Sequence, residues 1–429
     1  MRTLFFICLL LLFGNSLMAQ LYFPPVNSNE WETTDPSDLG WCPDEINALY
    51  DFLETNNSKA FILLKDGKIV LEEYFNGHTA TDTWYWASAG KTLTAFTVGI
   101  AQQENLLNIG DPTSDYLGTG WTNATPSQEA NITVRDQLSM TTGLDDGVTD
   151  PNCIDPSCLQ YLADAGERWA YHNAPYTLLT NVVENATGQT MNQYITEKIK
   201  TPTGMDGLFL PLGDLEVFFS TARSMARFGL LVLNEGSWEG TPILTDSAYF
   251  NEMVNTSQDL NEAYGYLWWL NGKDTYMIPQ SQIVFNGPFV PNAPDDMISG
   301  MGKDGQFVNV IPSRNMVWIR MGEDPGNLPV PYLLNDAIWE YLNQLDCSLS
   351  TPVVETPAKI SVYPNPVTET LYLKNPFQQD YSYVLYTVAG QQILEGNSDK
   401  VDVSELKGGM YFLKVIYGNT SETIKIIKR

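Results

Sequence analysis

The sequence predicts an α+β domain, in which an antiparallel sheet is flanked by its terminal helices and an all-helical lobe is inserted, followed by a small Ig-like β-sandwich. Up to residue 345 the patterns run in the order helix, hairpin, long helical insertion, several strands, helix. Beyond residue 358, short alternating strands are separated by turns, which is typical of a sandwich of about 70 residues. The chain is therefore expected to hold two folded units of different architecture.

The elements of the main domain follow from apolar spacing, capping residues and turn residues. Pro43 opens a helix with acidic residues in its first turn, and Asp66-Gly67 is a strong hairpin signal. Thr133 is expected to cap a short helix that Gly143 stops. Helices are predicted at 43–53, from 88 onwards, and at 133–143, 176–185, 191–199, 220–233 and 331–345, a hairpin at 60–75, and strands at 265–270, 307–311 and 316–321.

Changes of composition mark the remaining boundaries. Residues 20–40 are rich in Pro, Asn, Asp and Ser and are predicted to form an extended N-terminal arm before the main domain at 41–347. Pro, Ser and Thr are frequent in residues 348–358, which predicts a linker to a C-terminal domain at 359–429. The strands of that domain are predicted at 360–363, 370–374, 381–387, 391–394, 410–417 and 423–427.

The N-terminus is typical of a secretory signal. Arg2 precedes an apolar run that ends at Phe13, and Ala19 follows small and polar residues, so we expect residues 1–19 to be cleaved off. The apolar run is too short to span a membrane, which disfavours an anchor. Cys8 lies inside the run and not at its end, which disfavours a lipoprotein cleavage site.

Charge excludes some partners. The formal net charge is −28, while residues 359–429 carry eight basic and seven acidic residues, so the acidic excess lies in the part before them. Nucleic acid and anionic membranes are therefore poor partners. The chain is 43% hydrophobic, which is ample for globular cores.

Four cysteines remain after the signal: Cys42, Cys153, Cys158 and Cys347. An even number in an exported chain favours disulfides. Cys153 and Cys158 are close in a loop rich in Pro and Asp, so a local bridge is natural, and Cys42 would then pair with Cys347. Four free thiols are the alternative.

No metal or other cofactor is expected. The only histidines are His78 and His172, and no Cys-x-x-Cys spacing occurs. A structural zinc site is therefore disfavoured.

Ser88 and Lys91 form a Ser-x-x-Lys motif at the start of a predicted helix. Residues three apart on a helix share a face, so the amine would lie beside the hydroxyl. A serine needs such a base to become nucleophilic, and lysine serves only if burial or a nearby positive charge lowers its pKa. With 15 lysines in the chain, the motif is expected about once by chance, so other residues must decide.

Two further motifs follow in a fixed order: Tyr-x-Asn from Tyr171 and Lys-Asp-Gly from Lys303. Together with the motif at Ser88 they resemble the serine β-lactamase and penicillin-binding-protein superfamily. Segments 132–144 and 222–229 are similar to its class-C-like branch, and segment 263–269 to its esterases and 6-aminohexanoate-dimer hydrolases. The resemblance covers roughly residues 42–345 and implies a β-lactamase/transpeptidase-like fold.

The resemblance also implies catalytic roles. Ser88 would be the nucleophile that becomes acylated, and Lys91 would take its proton. Tyr171 would be a second base, which relays a proton to the leaving group and then activates water. Asn173 would hold the substrate carbonyl or Lys91, and His172 would have a structural role.

The third motif would complete the site. The resemblance implies an oxyanion hole formed by the backbone N–H groups of Ser88 and of Gln306, which follows Gly305. Lys303 would add a positive charge that lowers the pKa values of the catalytic tyrosine and lysine.

Asp304 departs from the pattern of penicillin-recognising members, which carry a hydroxyl residue there that helps bind the substrate carboxylate. A carboxylate at this position would repel such a substrate. We therefore expect an esterase or amidase that acts on a small neutral or cationic molecule. The alternatives are a penicillin-recognising β-lactamase or D-Ala-D-Ala carboxypeptidase, and a non-catalytic cell-surface binding protein on the same fold.

The C-terminal domain resembles the type A sorting domain of the type IX (Por) secretion system of Bacteroidetes. The segments Val-Tyr-Pro-Asn-Pro at 362–366, 403–411 and Ile-Ile-Lys-Arg at 426–429 carry the resemblance. It implies contact with the type IX machinery and passage through the periplasm and across the outer membrane, followed by release or cell-surface attachment. An ordinary Ig-like or carbohydrate-binding module is the alternative.

Overall fold

The computed structural model describes residues 21–325, 332–347, 360–374, 380–388, 390–417 and 420–429. The predicted signal at 1–19 and the predicted linker at 348–358 lie outside the described residues.

The predicted helices of the main domain are present with similar bounds, and shorter helices that the sequence did not predict, at 114–117, 126–129, 201–203 and 247–253, accompany them. They are α1 (Pro43–Thr55), α2 (Lys91–Gln103), α3 (Ser114–Leu117), α4 (Pro126–Glu129), α5 (Val134–Ser139), α6 (Asn173–Thr177), α7 (Leu179–Thr187), α8 (Met191–Ile195), α9 (Thr201–Thr203), α10 (Ala222–Leu233), α11 (Ser247–Met253) and α12 (Tyr332–Leu342). Thr133 caps α5 as predicted, but α5 ends at Ser139 and not at Gly143, because Met140 takes a left-handed φ of 61°. Within the described ranges, no helix has both the length and the apolarity that crossing a membrane requires.

The strands of the main domain form one large sheet and several small ones. They are β1 (Ser58–Lys65), β2 (Lys68–Tyr74), β3 (Trp84–Tyr85), β4 (Leu208–Leu212), β5 (Leu215–Ser220), β6 (Ser237–Trp238), β7 (Thr241–Pro242), β8 (Trp269–Leu270), β9 (Thr275–Tyr276), β10 (Phe285–Asn286), β11 (Ile298–Gly302), β12 (Gln306–Ile311) and β13 (Met316–Gly322). The predicted strand at 265–270 is reduced to β8, because Leu267 takes a left-handed φ of 61° just before it.

A six-stranded antiparallel sheet is the centre of the domain, in the order β2-β1-β13-β12-β11-β8. All residues of β12 and β13 are buried, because helices cover both faces of the sheet. Val317 faces α10, where it contacts Gly229, whereas Trp318 faces α12 and its Trp339. The antiparallel sheet with helices on both faces confirms the predicted fold class.

The inserted lobe lies between β2 and β8 and carries the helices α2 to α11. It also contains a small sheet in the order β3-β5-β4, which sequence analysis did not predict. The hairpin β4–β5 turns at Gly213, whose φ is 64°. This small sheet joins the lobe to the segment that leads into α2.

The N-terminal arm lies against the main domain. Trp31 Nε1 donates to Gly67 O at 2.8 Å, next to the β1–β2 turn. Arg227 of α10 donates to the carbonyl oxygens of Pro25 and Ser28 at 3.0 and 3.2 Å. The arm is thus attached at both the sheet and the helix that covers it.

The C-terminal domain consists of two packed sheets, in the orders β14-β15-β18 and β17-β16-β19-β20. Leu371, Leu385 and Leu413 are fully buried between them. The ring of Phe412 lies 4.5 Å from that of Phe285 in the main domain, so the two units touch. The strands are β14 (Ser361–Tyr363), β15 (Thr370–Lys374), β16 (Tyr381–Thr387), β17 (Gln392–Gly396), β18 (Lys400–Asp402), β19 (Gly409–Tyr417) and β20 (Thr420–Lys428).

Both favoured disulfides are present, Cys42–Cys347 and Cys153–Cys158. The first joins residues 305 apart in sequence, at the start of α1 and just after α12. Backbone hydrogen bonds support it on both sides, from Cys42 N to Leu345 O at 2.8 Å and from Cys347 N to Gly40 O at 3.0 Å. The bridge therefore ties the two ends of the main domain together.

We expect the double substitution Cys42→Ser/Cys347→Ser to lower the free energy of unfolding of the main domain by about 2–5 kcal/mol. The disulfide closes a long loop, and without it the unfolded chain gains conformational entropy. Tryptophan fluorescence during denaturation measures this domain alone, since the last of the 11 tryptophans is Trp339. Cys153→Ser/Cys158→Ser opens a loop of only a few residues and should cost less. Equal losses for the two pairs would contradict this expectation.

Candidate active site

Ser88 lies on a single 3-10 turn, Ala87–Gly90, between β3 and α2. Ala87, immediately before it, has a φ of 47°, a strained conformation that is common at functional sites. The strand that leads into this turn is held in place, since β3 pairs with β5 and Trp86 Nε1 donates to Ser220 Oγ at 2.8 Å. The predicted helix therefore begins at Lys91, but Ser88 and Lys91 still share a face.

The structure brings Ser88, Lys91 and Asn173 together. Lys91 Nζ lies 3.0 Å from Ser88 Oγ and donates to Asn173 Oδ1 at 2.9 Å. The side chain of Lys91 is 3% exposed, and this burial lowers its pKa to about 7. A large fraction of Lys91 is therefore neutral at neutral pH, which is the state that can accept a proton.

Two tyrosine rings enclose the amine. Lys91 Nζ lies 4.1 Å from the ring centroid of Tyr176 and 5.1 Å from that of Tyr171. Burial raises the pKa of Tyr171, and its hydrogen bond with Ser88 only partly opposes this. Tyr171 is therefore a neutral phenol at neutral pH. A ring face attracts a cation, so these rings favour the ammonium form of Lys91 against the effect of burial.

Aromatic neighbours fix the ring of Tyr171. It stacks on Trp269 with centroids 5.7 Å apart and meets Tyr264 edge-on at 6.2 Å. His172 is buried, and burial lowers its pKa to about 4, so it is neutral. The charged groups that affect the pKa of His172 are Asp146, Asp145 and Arg168.

The third motif forms the turn between β11 and β12. Asp304 and Gly305 take left-handed φ values of 64° and 79°. The buried side chain of Arg320 holds the turn, since its Nη1 donates to Asp304 O at 2.9 Å and to Gly305 O at 2.7 Å. The hydroxyl of Tyr85 donates to the carboxylate of Asp304.

Gly302, one residue before this motif, is the position that touches the nucleophile. A Cβ on Gly302 would lie 2.5 Å from Trp86 O and 3.0 Å from Ser88 N, so only glycine permits this approach. A Cβ on Gly305 would instead meet Arg320 and Leu334, behind the sheet. The end of β11 therefore approaches Ser88, with Lys303 as the next residue.

The resemblance predicts Gly305 and Gln306 at the oxyanion hole. Gln306 is fully buried and pairs with Gly302 across the hairpin. Its side chain is engaged with Gly322, donating to O at 2.6 Å and accepting from N at 3.0 Å. Among the described residues of this turn, Lys303 and Asp304 line the cleft beside Ser88, and Gly305 and Gln306 do not.

Lys303 is not among the groups that shift the pKa values of Lys91 and Tyr171 in the described part of the chain. Burial alone lowers the pKa of Lys91, and the pKa of Tyr171 is raised and not lowered. Lys303 is exposed at the mouth of the cleft, where solvent screens its charge.

The cleft above Ser88 has a volume of about 600 Å³. One wall is apolar and belongs to the unpredicted hairpin β4–β5, which contributes Leu212, Leu215, Val217 and Phe219. Glu216 of the same hairpin adds a second carboxylate to that of Asp304. Burial and the charge of Glu184 raise the pKa of Glu216. Within the described ranges, no group of three or more His, Cys, Asp or Glu side chains could hold a metal.

Asn152 also lines the cleft, although no motif in the sequence predicts it. Asn173 Nδ2 donates to Asn152 Oδ1 at 2.8 Å. The single signal for Asn152 in the sequence is its place beside Cys153, in a loop with no periodic pattern. Its position in the site depends on how that loop folds back over α6.

Solved structures share this fold. A putative 6-aminohexanoate-dimer hydrolase from Bacillus anthracis superposes with a TM-score of 0.56 at 18% identity, covering 78% of this chain and 91% of that chain. A putative beta-lactamase from Bacteroides dorei gives a TM-score of 0.56 at 16% identity, covering 71% and 98%. At such identities the likeness is evidence for the fold alone.

Sequence comparisons identify both units. An uncharacterized protein of Alkalihalophilus pseudofirmus is 23% identical over 307 residues, which are 63% of this chain and 84% of the relative. Residues 361–429 match a secretion system C-terminal sorting domain, which directs the protein across the outer membrane to the exterior or cell surface and implies contact with the type IX machinery. Residues 56–343, more than half of the chain, match the Beta-lactamase family model, and the chain therefore belongs to the β-lactamase family and carries a C-terminal secretion sorting domain.

Proposed function

We propose that this protein is an exported serine hydrolase of the esterase or amidase type, which acts through an acyl-enzyme on Ser88. The observation that carries the proposal is the buried Lys91 amine, 3.0 Å from Ser88 Oγ, whose pKa burial lowers to about 7. Its hydrogen-bond partners are Ser88 and Asn173, neither of which is ionised. A neutral amine in this position is a suitable general base for the serine.

Acylation begins when Lys91 takes the hydroxyl proton of Ser88 and Oγ bonds to the substrate carbonyl carbon. The carbonyl oxygen becomes an oxyanion, which accepts hydrogen bonds from backbone N–H groups. The close approach of Gly302 to Ser88 N favours the N–H of Ser88 and that of Lys303 as these donors. We assign the second position to Lys303 in place of Gln306.

Tyr171 relays the proton. Because burial raises its pKa, Tyr171 acts as a phenol that gives its proton to the leaving group and receives the proton held by Lys91. The carbon–leaving-group bond then breaks and the acyl-enzyme remains. In the second half, the same pair takes a proton from water, hydroxide attacks the acyl carbon, and Ser88 regains its proton as the acid product leaves.

The cleft favours substrates without a carboxylate near the acyl group. Asp304 and Glu216 both line it, and the hairpin β4–β5 offers an aliphatic wall. A penicillin carboxylate would meet repulsion from Asp304. A neutral or cationic ester or amide with an aliphatic acyl part fits this lining, and the name of the Bacillus anthracis structure suggests 6-aminohexanoyl compounds as test substrates.

We expect a fluorophosphonate probe to label the wild-type protein covalently at Ser88. Ser88→Ala should remove the label, because no other serine has a neutral base 3.0 Å away within the described contacts. Ser127→Ala, at an exposed serine, is the matched control and should label fully. Folded wild-type protein that takes no label on a fluorescence gel would argue for a non-catalytic binding protein.

We expect kcat/KM to rise with pH through about 7, because the base is the deprotonated form of Lys91 and its pKa is about 7. Tyr176→Leu removes a ring that favours the ammonium form, so the pKa should fall by roughly half a unit to one and a half units and activity should persist to lower pH. Tyr176→Phe keeps the ring and should keep the profile. Identical profiles for the Leu and Phe variants would contradict this role of the ring.

We compare three p-nitrophenyl esters: the neutral heptanoate, the cationic 6-aminohexanoate and the anionic adipate monoester. The first two should be cleaved at least about tenfold faster than the third, because repulsion between its carboxylate and those of the cleft costs more than about 1 kcal/mol. Glu216→Gln and Asp304→Asn each remove a carboxylate from the cleft, so they should bring the kcat/KM for the adipate ester closer to the kcat/KM for the other two esters. Asp214→Asn, at an exposed position outside the cleft, should leave it unchanged. Preference for adipate, or acylation of Ser88 by a labelled penicillin, would favour the penicillin-recognising alternative.

A further inference from the structure

Asn173 connects the base to a second asparagine. Its Oδ1 accepts from Lys91 Nζ at 2.9 Å, and its Nδ2 donates to Asn152 Oδ1 at 2.8 Å. An asparagine amide has an oxygen that accepts hydrogen bonds and a nitrogen that donates them. A partner that binds the nitrogen therefore leaves the oxygen to face the other side. In the observed orientation Asn152 presents its oxygen, which pairs with the donating end of Asn173. The accepting end is then left for Lys91.

This orientation matters for the chemistry of Lys91. A neutral amine that gives a hydrogen to Asn173 Oδ1 keeps its lone pair for the proton of Ser88. A rotated Asn173 amide would point its own N–H groups at Lys91, where they would compete for that lone pair and repel the ammonium formed during acylation. The contact with Asn152 therefore favours both the starting state and the product of proton transfer.

Few restraints hold Asn152 itself. It lies in a loop without helix or strand between α5 and α6, and its backbone N donates to Asp150 Oδ1 at 3.0 Å. The residue before it, Pro151, accepts from Ala174 N at 3.1 Å. The residue after it, Cys153, is bonded to Cys158.

The other end of this disulfide is firmly attached. Leu159, next to Cys158, is fully buried in a small core with Trp121 and Leu144. Its carbonyl accepts from Asn123 N at 2.9 Å. The disulfide therefore attaches Cys153, the residue beside Asn152, to a segment that is packed in the core of the lobe.

We propose that Asn152 is a positioning residue, held by the Cys153–Cys158 bridge, which orients the Asn173 amide so that Lys91 can accept the proton of Ser88. The inference rests on the proposed function of Ser88 and Lys91. Asn152 acts through Asn173 and does not touch the reacting atoms. Since the exported protein works in an oxidising environment, the bridge is maintained there.

The test compares Asn152→Ala with Asn152→Asp in the mature full-length protein, with the acylation rate of a p-nitrophenyl ester measured against pH. Asn152→Ala should lower the acylation rate by up to about a hundredfold, because a loosely oriented catalytic group loses most of its advantage. The acylation rate rises with pH as Lys91 loses its proton, and the pKa of this rise, called the acid limb, should also fall. The reason is that the ammonium form of Lys91 loses Asn173 Oδ1 as a fixed acceptor. KM should change little.

Asn152→Asp keeps the accepting oxygen and should recover most of the rate. Its added negative charge favours the ammonium form, so the pKa of the acid limb should rise and not fall. An unchanged rate and pH profile in Asn152→Ala would overturn the inference. A raised KM with an unchanged kcat would also overturn it, because it would make Asn152 a substrate-binding residue.

The role of the bridge is tested by Cys153→Ser/Cys158→Ser, alone and together with Asn152→Ala. If the bridge acts through Asn152, the double variant should slow acylation and the addition of Asn152→Ala should cause little further loss. Fully additive losses would overturn this link. Tryptophan fluorescence melting checks that each variant keeps its fold.

Fluorophosphonate labelling of the wild-type protein distinguishes a failure of the proposed hydrolase function from a failure of the positioning role of Asn152. Normal labelling with unaffected Asn152 variants would overturn the positioning role and leave the proposed function intact. Absence of labelling in the folded wild type would overturn the proposed function and the positioning role together.

Discussion

The burial of one amine is the constraint on which the candidate site depends. Lys91 is 3% exposed, and its hydrogen-bond partners are two uncharged side chains, Ser88 and Asn173. A carboxylate partner would keep the amine protonated, whereas burial lowers its pKa to about 7. The rings of Tyr171 and Tyr176 limit the cost of the ammonium form that proton transfer creates. The surroundings of Lys91 thus suit a group that must exist in both states.

Contacts from several parts of the fold position the residues around Lys91. The small sheet β3-β5-β4 fixes the turn that carries Ser88 and forms the apolar wall of the cleft. The end of β11 meets the same turn at Gly302. Arg320 joins this region to the start of β1, because it donates to Gly305 O and also to Ser58 Oγ at 2.8 Å. The site therefore lies where the large sheet and the lobe meet.

Residues within short motifs could be predicted from the sequence. Ser88 and Lys91 are three residues apart, and Tyr171 and Asn173 are two apart, so local geometry keeps each pair together wherever the fold places it. Gly302, Asn152 and Glu216 could not be predicted in this way. Gly302 matters because a strand end meets a helix start far away in sequence, and Glu216 because an unpredicted hairpin forms the wall of the cleft. The proposed donor, Lys303 in place of Gln306, depends in the same way on the tertiary structure, because the register of the β11–β12 turn decides which residue faces Ser88.

The sequence by itself predicted the longer helices, the central strands, the sorting domain, the favoured disulfide pairs and the Ser88–Lys91 pair that we propose as nucleophile and base, because periodicity, composition and motif spacing are local properties of the chain. Tertiary structure alone decided that Lys91 is buried with the uncharged side chains of Ser88 and Asn173 as its hydrogen-bond partners, and that Asn152 contacts Asn173. These properties depend on which distant segments exclude water from the site. Desolvation and contact across the fold, and not residue type, set the chemistry of Lys91.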